Sequence, residues 1–189
     1  MKTITLILIM FLAGFSSCKT TRPAVTVAPP AVQQASPDPS GSEINFSDPS
    51  TWILGYFDLN RLRQAPYSSW YITGYDEYVF NPDAIEKLKN IDKSPFNITI
   101  VIGSWCPDSR REVPRFMRVL NAGEFSVDRV KLIGVDREKN SPVENFGSLN
   151  IERVPTFIIY KNNIEAGRII ETPTTSLEQD LVNILTRNE

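Results

Sequence analysis

Hydrophobic and polar positions follow two different periods along the second half of the chain, and their alternation predicts an α/β fold. The apolar, β-branched runs have the length of strands, and the stretches between them repeat apolar residues at helical spacing. In chain order the predicted elements are a strand at 97–103, a helix at 107–121, a strand at 130–136, a short helix near 142–148, strands at 156–160 and 166–170, and a helix at 175–186. Alternating elements of this kind pack as helices on a sheet.

Turn and capping residues define the C-terminal part of this pattern. Lys161-Asn162-Asn163 separates the last two strands and predicts a tight turn, so these strands should form an antiparallel hairpin. Ser176 stands three residues before Gln179, which is the spacing of a capping box at the start of the final helix.

One cysteine lies where the first strand meets the first long helix. Cys106 follows the apolar run 98–102 and precedes Pro107, a residue that suits the first turn of a helix. Backbone N–H groups and the helix dipole favour negative charge at that position, so they should stabilise the thiolate, which is the reactive form of cysteine. A single cysteine is also often only a small buried hydrophobic residue.

The segment 46–95 is predicted to be an aromatic-rich helical extension. Five of its aromatic residues recur at three- and four-residue intervals, as on one face of a helix: Tyr67, Trp70, Tyr71, Tyr75 and Tyr78. This face is expected to pack on the core, and the alternative is an aromatic wall beside Cys106 that selects a peptide substrate. A second helix, at 82–91, should begin at the N-cap Asn81 and turn Ala84, Ile85 and Leu88 inward.

The first eighteen residues have the pattern of an export signal. Lys2 is followed by an apolar stretch at 4–15 that is too short to span a bilayer as a helix. The stretch ends in Phe15-Ser16-Ser17-Cys18, which resembles the lipobox of bacterial lipoproteins and implies lipidation of Cys18. The alternative is an ordinary secretory signal with an incidental cysteine. Residues 19–45 are rich in Pro, Ala and Ser and should form an extended tether.

Composition excludes several classes of site. The chain has no histidine, which excludes Cys-His and Ser-His pairs and zinc sites that need imidazole, and its two cysteines are too few for a four-cysteine cluster. The net charge is −2 and implies no basic face for nucleic acid. We therefore expect no metal, no cofactor and no nucleic-acid partner.

The cysteine segment resembles the thioredoxin superfamily. Trp105-Cys106 matches the start of the Trp-Cys-x-x-Cys motif, Pro114 matches the helix proline, and Val154-Pro155-Thr156 matches the cis-proline loop. The resemblance covers 96–185 and implies a thioredoxin fold in residues 96–189, a central mixed sheet flanked by helices, with 46–95 packed on it.

Two positions depart from the family pattern. Ser109 stands where a dithiol enzyme has its resolving cysteine, and Ile100 stands where thioredoxins commonly have a buried carboxylate. Both losses are consistent with a site that never resolves its own mixed disulfide. The resemblance therefore implies a monothiol enzyme in which Cys106 attacks a substrate disulfide, assisted by Ser109.

Neighbouring residues have expected roles in this exchange. Arg110 and Arg111 should favour the thiolate, and Asp108 should oppose them. The residues expected to position the substrate are Trp105, Pro107, Val154, Pro155 and Thr156.

The expected partners are exported proteins with disulfides or thiols and an external thiol reductant or redox partner. The expected location is the bacterial cell envelope, with the domain held to the membrane through lipidated Cys18 and facing the periplasm.

Other functions remain as alternatives to the exchange enzyme. The main alternative is a redox-silent thioredoxin scaffold that binds or holds exported proteins. A peroxiredoxin-like peroxidase is disfavoured. Enzymes of that kind resemble one another in having threonine three residues before the cysteine, and this chain has Gly103 there. Glutaredoxin-like iron–sulfur binding is disfavoured because Pro107-Asp108 replaces the Gly-Phe pair of that motif.

Overall fold

A computed structural model of the chain describes residues 44–187. The predicted export signal 1–18, its lipidation site Cys18 and nearly all of the predicted tether 19–45 lie outside the described residues. Within the described part the regular elements are β1 (Gly55–Phe57), α1 (Ser68–Asp76), α2 (Pro82–Asn90), β2 (Phe96–Ile102), α3 (Pro107–Ala122), β3 (Val130–Gly134), β4 (Thr156–Lys161), β5 (Ile164–Ile170) and α4 (Leu177–Leu185).

The strands form one mixed sheet in the order β1-β3-β2-β4-β5. Strand β2 runs parallel to β3 and antiparallel to β4, and β4 and β5 form the predicted antiparallel hairpin. The central strand β2 is buried along almost its whole length, as its uninterrupted apolar sequence requires. The predicted α/β fold with a central mixed sheet is confirmed.

Helix α3 joins the sheet to the N-terminal helices. Its apolar stripe is buried, and the ring centroid of Phe116 lies 4.3 Å from that of Phe157 on β4. Helix α1 approaches the opposite part of α3 at Pro114, where a Cβ on Gly74 would lie 2.7 Å from the proline Cγ. Gly74 therefore permits a close packing that a larger residue would prevent.

The aromatic helix is shorter than its spacing predicts. Tyr67 is the N-cap of α1 and Tyr78 follows its end, so the five aromatic residues do not share one helix face. The helix ends early because Asn81 must be extended to cap α2 before Pro82, which disfavours helical backbone at the residue preceding it. The expected packing is nevertheless present, since Tyr67 and Tyr71 are buried in the core.

Three further details differ from the sequence predictions. Instead of a helix near 142–148 the chain has a 3-10 turn at Phe146–Leu149, bounded by left-handed residues Asn145 and Asn150 that interrupt helical geometry. The sequence does not predict strand β1, because three residues are too few to show an alternation of apolar and polar positions. The capping box at α4 is half formed: Ser176 Oγ accepts from Gln179 N at 3.3 Å, but the Gln179 side chain donates to Asn183.

None of the helices within residues 44–187 combines the length and apolar character needed to cross a membrane.

Candidate functional site

Cys106 is the N-cap of α3 and lies directly after the carboxyl end of the central strand. Its backbone N–H donates to Gly103 O at 2.8 Å, and its carbonyl accepts from Arg110 N at 3.1 Å. Pro107 occupies the first turn, where its missing N–H costs nothing. The thiol therefore stands at the positive end of a 16-residue helix.

The loop before β4 meets this thiol. The Val154–Pro155 peptide bond is cis, and Cys106 Sγ donates to Val154 O at 3.2 Å. Both flanks of the loop are held, because Thr156 Oγ1 donates to Arg153 O at 2.6 Å and Pro155 O accepts from Glu171 N at 2.7 Å. The structure thus brings together Cys106 and the Val154-Pro155-Thr156 segment, which are separated by 48 residues at the hydrogen bond.

Access to the sulfur is narrow. Cys106 is 8% exposed and packs in a small apolar cluster with buried Val101, Val135 and Val154. Ionisation of the thiol would remove the hydrogen bond from Cys106 Sγ to Val154 O, because a carbonyl oxygen cannot donate to a thiolate.

Ser109 lies one turn into α3 and is fully buried. Its Oγ accepts a hydrogen bond from Gly103 N at 3.2 Å, so it closes the turn between β2 and α3. Ile100, at the position of the family's carboxylate, is completely buried in β2. The hydrogen bond from Gly103 N gives Ser109 a structural partner in the backbone, whereas the sequence resemblance gives Ser109 the role of assisting Cys106.

The two arginines that follow the cysteine have different surroundings. Arg111 forms ion pairs with Asp108 at 2.7 Å and Glu112 at 2.6 Å, so its charge and that of Asp108 largely cancel. Arg110 instead lies with Cζ 4.5 Å from the centroid of the Phe46 ring. Burial lowers the pKa of the Arg110 guanidinium, and the charge interaction with Cys106 opposes that shift. Of the predicted pair, Arg110 is the one whose charge interaction with Cys106 is clear, whereas Arg111 interacts with Asp108 and Glu112.

A cavity of about 1,210 Å³ opens beside the cysteine, and we name it the thiol-side groove. The lining includes Trp105 and Pro107, which flank Cys106. It also includes residues 44–47 and two residues of α1. The lining residues are Ile44, Asn45, Phe46, Ser47, Ser69, Trp70, Trp105, Pro107, Arg110, Arg137 and Lys139.

Two elements distant in sequence hold this lining in place. Trp105 Nε1 donates to Val135 O at 3.0 Å, and the Trp105 and Trp52 ring centroids are 6.3 Å apart. Ser104 Oγ accepts a hydrogen bond from Ile53 N at 3.0 Å. This bond joins the chain just before β1 to the turn between β2 and α3. The Ser104 hydroxyl is completely buried, and its hydrogen bond therefore helps to hold the residues around Cys106 in place.

Sequence reasoning missed the contributions of Phe46, Trp52, Arg137 and Lys139 to this site. The aromatic richness of the segment 46–95 was the one available signal, and Trp70 does reach the groove. Nothing local marks the two basic residues, because they sit in a loop after β3 and join the site only through the fold.

A family model described as thioredoxin matches residues 63–182. The chain belongs to the thioredoxin family. The match begins before the region that the sequence resemblance covers, so it includes α1 and α2. The thioredoxin-like fold and the suggestion of thiol chemistry thus rest on more than half of the chain.

Two individual proteins are similar to this member of the thioredoxin family. The protein named "Putative thioredoxin-5" of Dictyostelium discoideum is 30% identical over 99 residues, which cover 52% of this chain and 88% of that protein. The crystal structure of a Pseudomonas aeruginosa protein of unknown function has a TM-score of 0.51 at 13% identity and covers 69% of this chain and 90% of that one. The second likeness concerns the fold alone.

Among residues 44–187 no cluster of three or more His, Cys, Asp or Glu side chains could hold a metal. Cys106 is the free cysteine of the described part, and a helix terminus, one guanidinium and the groove lie close to it.

Proposed function

We propose that this protein is a membrane-tethered thiol–disulfide exchange protein that uses Cys106 as its single nucleophile on disulfides of exported proteins. The observation that carries the proposal is the contact between Cys106 Sγ, at the start of α3, and Val154 O, beside cis-Pro155, at 3.2 Å. This contact places the thiol next to the backbone that would align a substrate strand.

The exchange proceeds through one mixed disulfide. The Cys106 thiolate attacks one sulfur of the substrate disulfide, a bond forms between the two sulfurs, and the substrate's other sulfur leaves as a thiolate. Because Ser109 has no sulfur, the mixed disulfide is not resolved from within the motif. A second thiolate, from the substrate or from an external reductant, attacks the mixed disulfide and releases Cys106 as a thiolate.

The outcome depends on the thiol that releases the enzyme. If a cysteine of the same substrate attacks, the net reaction is disulfide isomerisation and no electrons are transferred overall. If an external thiol attacks and a second equivalent completes its oxidation, the substrate disulfide is reduced and the external thiol becomes the disulfide. The enzyme returns unchanged in both cases.

The tether and the location are parts of the same proposal. Cys18 is the proposed lipidation site, residues 19–45 the spacer, and the periplasmic side of the cell envelope the place of action. Metabolic labelling with a radioactive fatty acid tests this part: the wild-type chain should be labelled and Cys18→Ala should not. Equal labelling of both chains would contradict it.

Capture of disulfide partners tests the enzymatic part. Intact cells that express the full chain are quenched with acid, and complexes are separated without reductant. Wild-type protein should migrate as mixed disulfides that dithiothreitol releases, and Cys106→Ser should give none. Adducts of equal amount in both proteins would contradict the role of Cys106.

A redox-silent binding scaffold is the second candidate, and one observation favours it. Cys106 is 8% exposed, and its S–H is used in the hydrogen bond to Val154 O, so the thiol has a structural partner. Alkylation by neutral iodoacetamide between about pH 5 and pH 9 separates the candidates. Reaction well below about pH 8.5, where an ordinary thiol ionises, supports the enzyme, and a thiol that stays unreactive in the folded protein supports the scaffold.

A further inference from the structure

We propose that the thiol-side groove binds a polypeptide segment that carries carboxylates next to its disulfide, so that Cys106 prefers acidic substrates. This inference rests on the proposed exchange reaction and names its substrate class. It is carried by the charge, the geometry and the size of the groove.

The lining of the groove is one-sided in charge. Arg110, Arg137 and Lys139 line it, and no aspartate or glutamate does. Throughout residues 44–187, none of these three cations lies within ion-pair distance of a carboxylate. The groove therefore presents positive charge that the described part of the protein does not neutralise, although the whole chain has a net charge of −2.

The carboxylates nearest in sequence to the three cations do not line the groove. Asp108 pairs with Arg111 at 2.7 Å. Asp136 accepts hydrogen bonds from the backbone and side chain of Asn140, at 2.7 and 3.4 Å. Glu138 lines an adjacent depression, which it shares with Lys139, and it is not among the lining residues of the groove. None of the three reaches into the groove to occupy its cations.

Both arginines are held by aromatic rings. The Arg137 guanidinium carbon lies 5.7 Å from the Trp52 ring centroid and 6.0 Å from that of Trp105, and Arg110 lies over Phe46. Stacking fixes the plane of a guanidinium while its N–H groups stay available, which suits bidentate binding of a carboxylate. Both guanidinium groups thus lie close to aromatic rings in the lining of the groove, where a carboxylate could reach them.

The size of the groove favours a polypeptide over a small molecule. Its volume of about 1,210 Å³ exceeds the roughly 300–1,000 Å³ of pockets for drug-sized ligands. Trp70 and Trp105 add apolar surface between the charges. A segment of several residues, with its cysteine at Cys106 and its carboxylates along the groove, fits this arrangement.

The probes for the test are peptides with one cysteine activated as a neutral 2-pyridyl disulfide. Two eight-residue peptides differ only at four positions flanking the cysteine, which are Glu in one and Gln in the other. The rate at which the full-length protein releases 2-thiopyridone is measured at about 20 mM and about 500 mM salt. Each rate is compared with that of Cys106→Ser.

The wild-type protein should react about 3- to 10-fold faster with the Glu peptide than with the Gln peptide at low salt. High salt should remove most of this ratio, since Arg137 is exposed to solvent and Arg110 and Lys139 are only partly buried. Arg137→Gln combined with Lys139→Gln should bring the ratio near one. The matched control, Lys87→Gln combined with Lys89→Gln, removes the same charge from the exposed end of α2 and should keep the wild-type ratio.

The contradicting results are distinct. Equal rates with both peptides, or an equal ratio in the groove variant and the α2 control, would overturn the groove proposal and leave the exchange reaction intact. No release above the Cys106→Ser background with either peptide would instead overturn the exchange reaction. The same preference in a Glu-Cys-Glu tripeptide would overturn the polypeptide as occupant. If the double variant does not fold, Arg137→Gln alone and the salt dependence of the wild type decide the question.

Discussion

The first turns of α3 and α4 each bury a side chain that can carry negative charge, and the two sites differ in their partners. Glu178, in the first turn of α4, is 1% exposed and accepts from Tyr78 Oη at 2.8 Å and from Asn81 N at 2.7 Å. Cys106, at the start of α3, has one hydrogen bond, and its partner Val154 O is an acceptor.

Under the proposed function, this difference separates a structural site from a reactive one. Two donors satisfy both carboxylate oxygens of Glu178, so the group joins α4 to the N-cap of α2 and to the segment after α1. The carbonyl at Cys106 can pair only with the protonated sulfur, and it offers nothing to the thiolate that exchange requires. A helix N-terminus therefore favours a negatively charged group in both places. The neighbouring hydrogen-bond donors decide whether that group is fixed in the structure or free to react.

The largest expected change comes from completing the motif at the reactive site. Reduced Ser109→Cys should act as a dithiol enzyme that completes a turnover with insulin when no other thiol is added, because the second thiol can resolve the mixed disulfide. The wild type should show little such turnover. Ser109→Ala, which also removes the hydrogen bond to Gly103 N, is the control for disturbance of the turn. Equal insulin reduction by wild type and Ser109→Cys would contradict the monothiol mechanism.

The structural site should respond in stability and not in chemistry. Glu178→Ala leaves the hydroxyl of Tyr78 and the partly buried N–H of Asn81 without their acceptor, so we expect a loss of about 2–3 kcal/mol in the free energy of unfolding by urea. Peptide capture by Cys106 in the folded variant should keep the wild-type rate. Glu77→Ala removes an exposed carboxylate nearby and should change stability by less than about 0.5 kcal/mol. A loss of similar size in both variants would show that Glu178 is not the structural group proposed.

The partner of Glu178 should give this site a signature at alkaline pH. Burial raises the pKa of Tyr78 from its ordinary value of 10.0, and its hydrogen bond to the Glu178 carboxylate raises it further. Because the folded-state pKa is the higher one, the stabilisation is complete below about pH 10 and is lost as the pH rises through the folded value.

Tyr78→Phe tests this pH dependence. The variant should be about 1–2 kcal/mol less stable at neutral pH, and its difference from wild type should shrink above about pH 10. Urea unfolding at several pH values measures the difference. Tyr56→Phe, which removes the hydroxyl of a tyrosine that is 63% exposed, is the control and should show neither effect. A difference from wild type that stays constant with pH would contradict the assignment.

The smallest expected effect concerns the two arginines of α3. Arg110→Gln should slow alkylation of Cys106 by neutral iodoacetamide about two- to fivefold near pH 7, because it removes a cation that interacts with the sulfur. Arg111→Gln should have less effect, since Arg111 is paired with Asp108 and Glu112. Equal slowing by both substitutions would show that the arginines act together on the thiol, as the sequence alone suggests.

Local patterns determined most of the fold. The apolar run of β2, the helical spacing of α3 and the Asn-Pro start of α2 each appear where the sequence predicts them, because a few neighbouring residues suffice to define such elements. The resemblance to thioredoxins, drawn from Trp105-Cys106, Pro114 and Val154-Pro155-Thr156, is confirmed by the family match. Placement of the cysteine at a helix start followed from Pro107 and the preceding strand.

Only the tertiary structure decided what surrounds the cysteine. Strand β1 forms because β3 offers it an edge, and the predicted aromatic face is divided because Asn81 must cap the next helix. Arg111 is neutralised by its neighbours, while Arg137 and Lys139 arrive from a loop after β3 to line the groove. These contacts join residues that are far apart in the chain. Neither the hydrophobic periodicity nor the composition of a sequence specifies which distant side chains come into contact when the chain folds.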